Sequence, residues 1–190
     1  MENGVDSKMI LVIDICREKM HKLEFVNPIE NILKGCKINY STKHYIKITQ
    51  KDLEKSDKII ICGTSLKDND FFKYIGKFDW IKSCNKPILG ICGGMHIIGL
   101  IFGGKLKNKK QIGKISIYFK KQFLGIKGEK QVYSLHGLFV NFKKLKEFEI
   151  YAENQCEQAV KHKQKEIYGV LFHPEVRNKE MVKKFCDLKT

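Results

Sequence analysis

Ten residues, Pro87-Ile88-Leu89-Gly90-Ile91-Cys92-Gly93-Gly94-Met95-His96, restrict the fold more than any other part of this chain. An apolar run climbs into a cysteine that has glycine two positions away on either side. Such a segment reads as a buried strand, a sharp turn and a helix, with the cysteine at the turn. The central residue is forced into strained backbone, and only small neighbours avoid the crowding there. The thiol then sits at a helix N-terminus, where the helix dipole favours the thiolate. Two readings fit this segment equally: an activated nucleophile, or an ordinary buried cysteine in a strand–helix turn.

Other apolar runs repeat the theme. Met9 to Ile15 and Lys58 to Gly63 read as buried parallel strands, and Ile38 to Ile48 as a strand region with partial alternation. Glu18 to Leu33 carries a helical pattern interrupted at Asn27-Pro28. Asn69 to Cys84 has helical spacing, and Met95 to Phe102 a helix closed by Gly103-Gly104. After Lys105 the pattern changes to short β-like segments at Ile112 to Phe119, Gln131 to Leu135, Leu138 to Phe142, Glu149 to Glu153, Gln158 to Lys161 and Ile167 to Phe172. A last helix is expected over Lys179 to Cys186. Strands alternating with helices imply an α/β fold: an open, mostly parallel sheet with flanking helices, extended at one edge by the β-rich second half. A single domain over residues 1–190 is the economical organisation. Residues 1–8 are polar and are expected to be disordered.

Composition narrows the function classes. The chain is 43% hydrophobic, enough for a packed core. No apolar run approaches the ~20 residues needed to span a bilayer, and Met1 to Lys8 lacks a secretory h-region. A cytoplasmic protein with no membrane partner is expected. The seven cysteines are scattered and odd in number, with no C-x-x-C pair, which argues against a disulfide framework and against a metal site. Net charge is +15, nearly all of the excess from lysine. Clusters at Lys105 to Lys110, Lys143 to Lys146 and Lys161 to Lys165 read as solvated loops and strand edges. A nucleic-acid surface is the weaker reading, because no interleaved aromatic motif accompanies the charge. An anionic nucleotide held by a partner subunit is a third.

A cysteine nucleophile needs a base, and the base an orienting acceptor. Tyr168 to Phe172 is an apolar run ending in His173-Pro174-Glu175. Pro174 cannot continue a central ladder, so the strand is expected to stop there and release His173 at the sheet's C-terminal edge. Period-two spacing places Glu175 on the same face. His173 could then take the thiol proton while Glu175 holds the ring. Alone, His173 reads as a capped strand end and Glu175 as a surface carboxylate. An elbow cysteine and a strand-end His-x-Glu each supply what the other requires.

With both boxes in hand, nearly the whole chain resembles the class I, triad-type glutamine amidotransferases. Gly90-Ile91-Cys92-Gly93-Gly94-Met95 is similar to that family's Gly-x-Cys-x-Gly box, and Phe172-His173-Pro174-Glu175 to its His-Pro-Glu box. The resemblance implies that Cys92, His173 and Glu175 form a catalytic triad converting L-glutamine to glutamate through a γ-glutamyl thioester. Ammonia would pass to an ATP-dependent synthetase subunit, which would bind any ATP; no cofactor or metal is implied for this chain. The backbone N–H groups of Gly93 and Gly63 would form the oxyanion hole, although the loop Cys62-Gly63-Thr64-Ser65 departs from the family's usual Gly-Gly-Pro or Gly-Pro-Gly. Ser134 to Val140 is similar to the segment that holds the substrate backbone, which makes Gly137 and Leu138 candidate glutamine contacts; a glycine bulge in a strand is the other reading. The family's usual glutamine four residues after the nucleophile is here His96, which at i+4 would look into the pocket and alter substrate affinity.

Gln158 to Lys163 and Ile167 to Val176 look most like the glutamine-hydrolysing component of a split GMP synthetase, whose partner is an ATP-pyrophosphatase subunit. Synthetases making anthranilate, carbamoyl phosphate or cobyrinate amides are other acceptors. A γ-glutamyl hydrolase-like enzyme and a non-catalytic regulatory or binding relative are the alternative functions.

Overall fold

The computed structural model describes residues 9–189, so the expectation for residues 1–8 lies outside it. The strands are β1 (Met9–Asp14), β2 (Asn39–His44), β3 (Lys58–Ile61), β4 (Ile88–Ile91), β5 (Leu106–Phe123), β6 (Ile126–Val140), β7 (Phe148–Asn154), β8 (Cys156–His162) and β9 (Ile167–Val170). The helices are α1 (His21–Phe25), α2 (Asn27–Gly35), α3 (Gln50–Lys55), α4 (Trp80–Ser83), α5 (Gly93–Ile101), α6 (Pro174–Arg177) and α7 (Lys179–Cys186). Among the described residues no helix is long and apolar enough to cross a membrane.

One nine-stranded sheet runs in the order β2-β1-β3-β4-β9-β8-β7-β5-β6. The first five strands are parallel and the remaining pairings antiparallel. The inner parallel strands β1, β3, β4 and β9 are largely apolar because both faces are covered, whereas the edge strand β2 is polar and only partly buried. Ile10, Val12, Ile60, Leu89 and Val170 pack on the side of α2 and α7; Leu11, Ile13, Ile59, Ile61 and Ile88 pack on the side of α5. Each such side chain taken fully from water contributes about 2 kcal/mol before entropy. Lys58 is buried within this layer and donates through Nζ to the Cys186 carbonyl at 2.8 Å.

Several elements depart from the sequence reading. Strand β2 ends at His44, and a short 3-10 turn, Tyr45–Lys47, completes the stretch expected to be strand. Helix α3 was not expected; Thr49 caps it, exchanging hydrogen bonds with Asp52 in a capping box. Asn69 to Cys84 is mainly 3-10, Asp70–Phe78, followed by α4. The six short β segments resolve into longer strands, with β5 and β6 forming one hairpin of 18 and 15 residues. Its two-residue turn, Leu124-Gly125, has φ of 41° and 85°, which suits the right-handed twist of the flanking strands. Its lysines stand outward, so the ladder rather than an apolar run defines the strands.

Strand β9 stops at Val170 rather than at His173. Pro174 opens α6, where its missing N–H costs nothing, and His173 is the residue preceding that helix. The His173 N–H donates to the Tyr133 carbonyl at 2.8 Å, which ties the segment after β9 to the hairpin.

Candidate active site

The site forms where β3, β4 and β9 end and the hairpin crosses them. Cys92 follows β4 and precedes α5, with φ 48° and ψ −101°, a strained conformation for a residue with a side chain. Its N–H donates to the Val170 carbonyl at 2.7 Å, which fixes the turn to β9. The flanking glycines are demanded by space. A Cβ on Gly90 would lie 2.6 Å from the Gly94 backbone, and one on Gly94 would lie 2.3 Å from the Ile61 carbonyl oxygen. The strand–turn–helix expectation therefore holds, and its physical reason is visible.

His173 and Glu175 lie beside Cys92. His173 Nδ1 is 2.7 Å from Glu175 Oε1, with the two side chains 1% and 0% exposed. The pair meets through the turn from His173 into α6, and the strand alternation invoked for it plays no part because β9 has already ended. Burial works to lower the His173 pKa, but the charges of Glu175 and Cys92 outweigh it and hold the ring well above the ordinary histidine value. Nε2 is buried and makes no hydrogen bond of ordinary geometry, so the Cys92 side of the pair is looser than the Glu175 side. Phe25 packs against the His173 ring at 5.3 Å. The Cys92 thiol donates to the Leu135 carbonyl at 3.6 Å.

Gly63 lies against both Cys92 and His173. A Cβ there would lie 2.8 Å from His173 Cε1 and 3.4 Å from Cys92 Cβ. Gly93 is equally enclosed, against Ile15 and Phe71. Both candidate oxyanion donors therefore border the Cys92 side chain or follow it directly. Two other cysteines approach the same turn. Burial pushes the Cys16 thiol up to about 12 and the Cys62 thiol well above its ordinary value, which leaves both inert.

A pocket in front of Cys92 and Gly93 is walled by Ser65, His96, His136 and Leu138. His96 lies in it, as the i+4 spacing predicts, but its Nε2–H is already donated to the Leu138 carbonyl at 3.1 Å. Burial holds the His96 pKa down to about 4, so the ring is neutral. Gly137 and Leu138 also border the pocket. The strand reading of this segment holds, for β6 runs through Gly137 and the register against β5 slips between Asn108 and Gln111 opposite it.

Sequence reasoning passed over His136, which is buried in the pocket wall and also held near a pKa of about 4, mainly by burial. Its signal was its place inside the Ser134 to Val140 segment, where alternation from the buried Ser134 turns it inward. Phe71 was missed because nothing local marks it. Among the described residues, no group of three or more His, Cys, Asp or Glu side chains is arranged to hold a metal ion.

An elbow cysteine, a buried His–Glu pair and a small pocket meet at the C-terminal edge of a parallel sheet, an arrangement that can carry acyl-transfer chemistry. Comparison with known proteins agrees. The family profile Glutamine amidotransferase class-I matches residues 25–189. A GMP synthase [glutamine-hydrolyzing] from Staphylococcus saprophyticus is 31% identical over 166 residues, covering 78% of this chain and 32% of that protein. The Staphylococcus aureus protein of the same name is 35% identical over 117 residues, 54% of this chain and 23% of its own. The chain thus spans about a third or less of the length of these curated relatives. Among solved structures, a putative GMP synthase subunit from Thermoplasma acidophilum superposes with a TM-score of 0.82 at 22% identity, over 94% of this chain and 92% of that one. A glutamine amidotransferase from Thermotoga maritima gives 0.70 at 18% identity, over 95% and 81%. The chain belongs to the class I glutamine amidotransferase family.

Proposed function

We propose that this chain is a glutaminase: it hydrolyses L-glutamine at Cys92 and delivers the ammonia to an ATP-dependent synthetase. The observation that carries the reading is the buried His173–Glu175 contact of 2.7 Å set beside a cysteine in elbow geometry. His173, with Nδ1 held by Glu175, takes the thiol proton, and the Cys92 sulfur attacks the side-chain amide carbon of glutamine. The N–H groups of Gly93 and Gly63 stabilise the developing oxyanion. His173 then protonates the leaving nitrogen, ammonia departs, and a γ-glutamyl thioester remains on Cys92. Water, deprotonated by the same ring, releases glutamate and restores the thiol.

Gly137 and Leu138 provide main-chain contacts to the bound substrate, and His96 braces that wall. Nothing in this chemistry requires a cofactor or metal in this chain; ATP belongs to the synthetase. The similarity to proteins named GMP synthase favours GMP synthesis as the destination of the ammonia, with an ATP-pyrophosphatase subunit or domain as partner.

Glutamate release from glutamine tests the reading, measured with and without a candidate synthetase. Activity that rises with the synthetase and is lost in Cys92→Ser is the expected result. Turnover of γ-glutamyl peptides without any partner would instead identify a hydrolase. No turnover in any combination would leave a non-catalytic relative.

A further inference from the structure

The segment that carries the Gly63 N–H is neither helix nor strand from Cys62 to Ser65. An oxyanion donor works only if it is fixed before the charge develops, and the ladder to β1 reaches only as far as the Cys62 N–H, which donates to the Ile13 carbonyl at 3.0 Å. Side chains take that role, and they converge on Asp68. Its Oδ2 accepts from the Thr64 hydroxyl at 2.9 Å, from the Arg17 N–H at 2.8 Å and from His21 Nδ1 at 3.0 Å. The Asp68 N–H donates to the Ser65 carbonyl at 3.1 Å, which closes the loop on itself. The Asp68 side chain is 1% exposed, and its Oδ1 is buried without a partner. A buried carboxylate with one oxygen unpaired is unfavourable, so the three bonds to Oδ2 have to offset its burial.

The contacts of Asp68 join two parts of the site. Thr64 and Ser65 follow Gly63 directly. Arg17 and His21 belong to the segment after β1, and His21 packs edge-on against Phe25, with ring centres 6.4 Å apart. Phe25 in turn packs on His173. One carboxylate therefore braces the loop that bears the Gly63 N–H, and reaches the aromatic stack beside His173 only at its outer end, through His21.

We propose that Asp68 is a positioning residue for the amidotransferase reaction, holding the Gly63–Ser65 loop, and with it the Gly63 N–H, in register with Cys92 and His173. This rests on the glutaminase reading of the site. Asp68 touches no substrate; its effect is on transition-state stabilisation, so kcat bears the loss and KM is little affected.

Glutamine hydrolysis and alkylation of Cys92 by iodoacetamide separate this role from a structural one. Alkylation is a direct displacement and forms no oxyanion, so it reports the thiolate alone. The expected kcat loss is about 50-fold in Asp68→Ala and about 5-fold in Thr64→Val, with KM within about threefold and alkylation within about twofold of the parent. Thr64→Ser, which keeps the hydroxyl, is expected to match the parent and guards against a folding artefact in Asp68→Ala. Unchanged kcat in Asp68→Ala and Thr64→Val overturns the proposal. So does alkylation that falls in parallel with kcat, or a Thr64→Ser variant as impaired as Thr64→Val. A parent protein that neither hydrolyses glutamine nor accepts a γ-glutamyl group on Cys92 overturns the glutaminase reading, and this proposal with it.

Discussion

The parallel half of the sheet and the β5–β6 hairpin are built on different physics. In β1, β3, β4 and β9 nearly every residue is buried on one face or the other. The hairpin alternates, with Lys107, Ile112, Lys114, Tyr118 and Lys120 exposed and Val132, Ser134 and His136 turned inward. The first kind of strand is held by packing on two sides; the second is held by a long ladder and one covered face. The site sits on the seam between them. The parallel half supplies Cys92 and His173, and the glycines packed around them leave no room for an added methyl. The hairpin supplies the wall, through Leu135, His136 and Leu138, held to the reactive half by single hydrogen bonds from His173, Cys92 and His96. In the proposed reading, the chemistry falls to the half packed on both faces and the substrate wall to the half held by a ladder.

Glycine-to-alanine substitutions probe this contrast most strongly. In Gly94→Ala the new methyl meets the Ile61 carbonyl, which is backbone and cannot step aside, so a stability loss of at least about 3 kcal/mol is expected. In Gly137→Ala the nearest atom to the new methyl is 4.0 Å away, and thermal unfolding is expected to change little. A Gly94→Ala protein that melts like the parent would break the comparison.

The seam itself is open to a pH test. His96 from the parallel half and His136 from the hairpin are both buried neutral, with pKa values near 4 against 6.5 for a free histidine. Below pH 6.5 the unfolded chain binds protons that the folded chain refuses. Their contribution is therefore whole above pH 6.5 and is lost as pH falls toward 4, by roughly 3 kcal/mol for each ring. His173 is shifted the other way; its contribution stays whole below pH 6.5 and is lost only as pH rises through its higher folded value. Unfolding followed between pH 7 and 4 should show His96→Gln less acid-sensitive than the parent. An identical pH slope would mean that the ring is not buried neutral.

The smallest effect is expected at the partly exposed end of β7, where lysines from β5 and from the loop after β6 meet it. Lys120 and Lys143 pair with Glu153 from exposed positions. Lys120→Ala with Lys143→Ala is expected to shift the melting temperature by less than about 2 °C. A larger fall would show that charge, rather than the ladder, holds β7 to its neighbours.

The same contrast decides what the sequence makes legible. Continuous apolar runs ending at Ile15, Gly63, Cys92 and His173 identified β1, β3, β4 and β9, and Lys179–Cys186 matches the expected last helix residue for residue. The hairpin was fragmented because alternating lysines and glycines hide one long ladder behind several short apolar stretches. Helix α3 was overlooked because, with no buried residue, it has only its cap to declare it. Cys92, His173, Glu175 and His96 could be placed because each lies in a local motif. The link from Asp68 to Thr64, Arg17 and His21 could not, since Arg17 and His21 lie about fifty residues away in the chain.

The central claim, that Cys92 is the nucleophile that takes the glutamine side chain, is tested most directly by a glutamine analogue bearing a diazoketone in place of the amide. Mass spectrometry of the digested protein is predicted to find the adduct on the peptide containing Cys92, to lose it in His173→Gln, and to find none on the partly exposed Cys36 and Cys84. Labelling confined to Cys36 or Cys84, or labelling of Cys92 undiminished in His173→Gln, would contradict it.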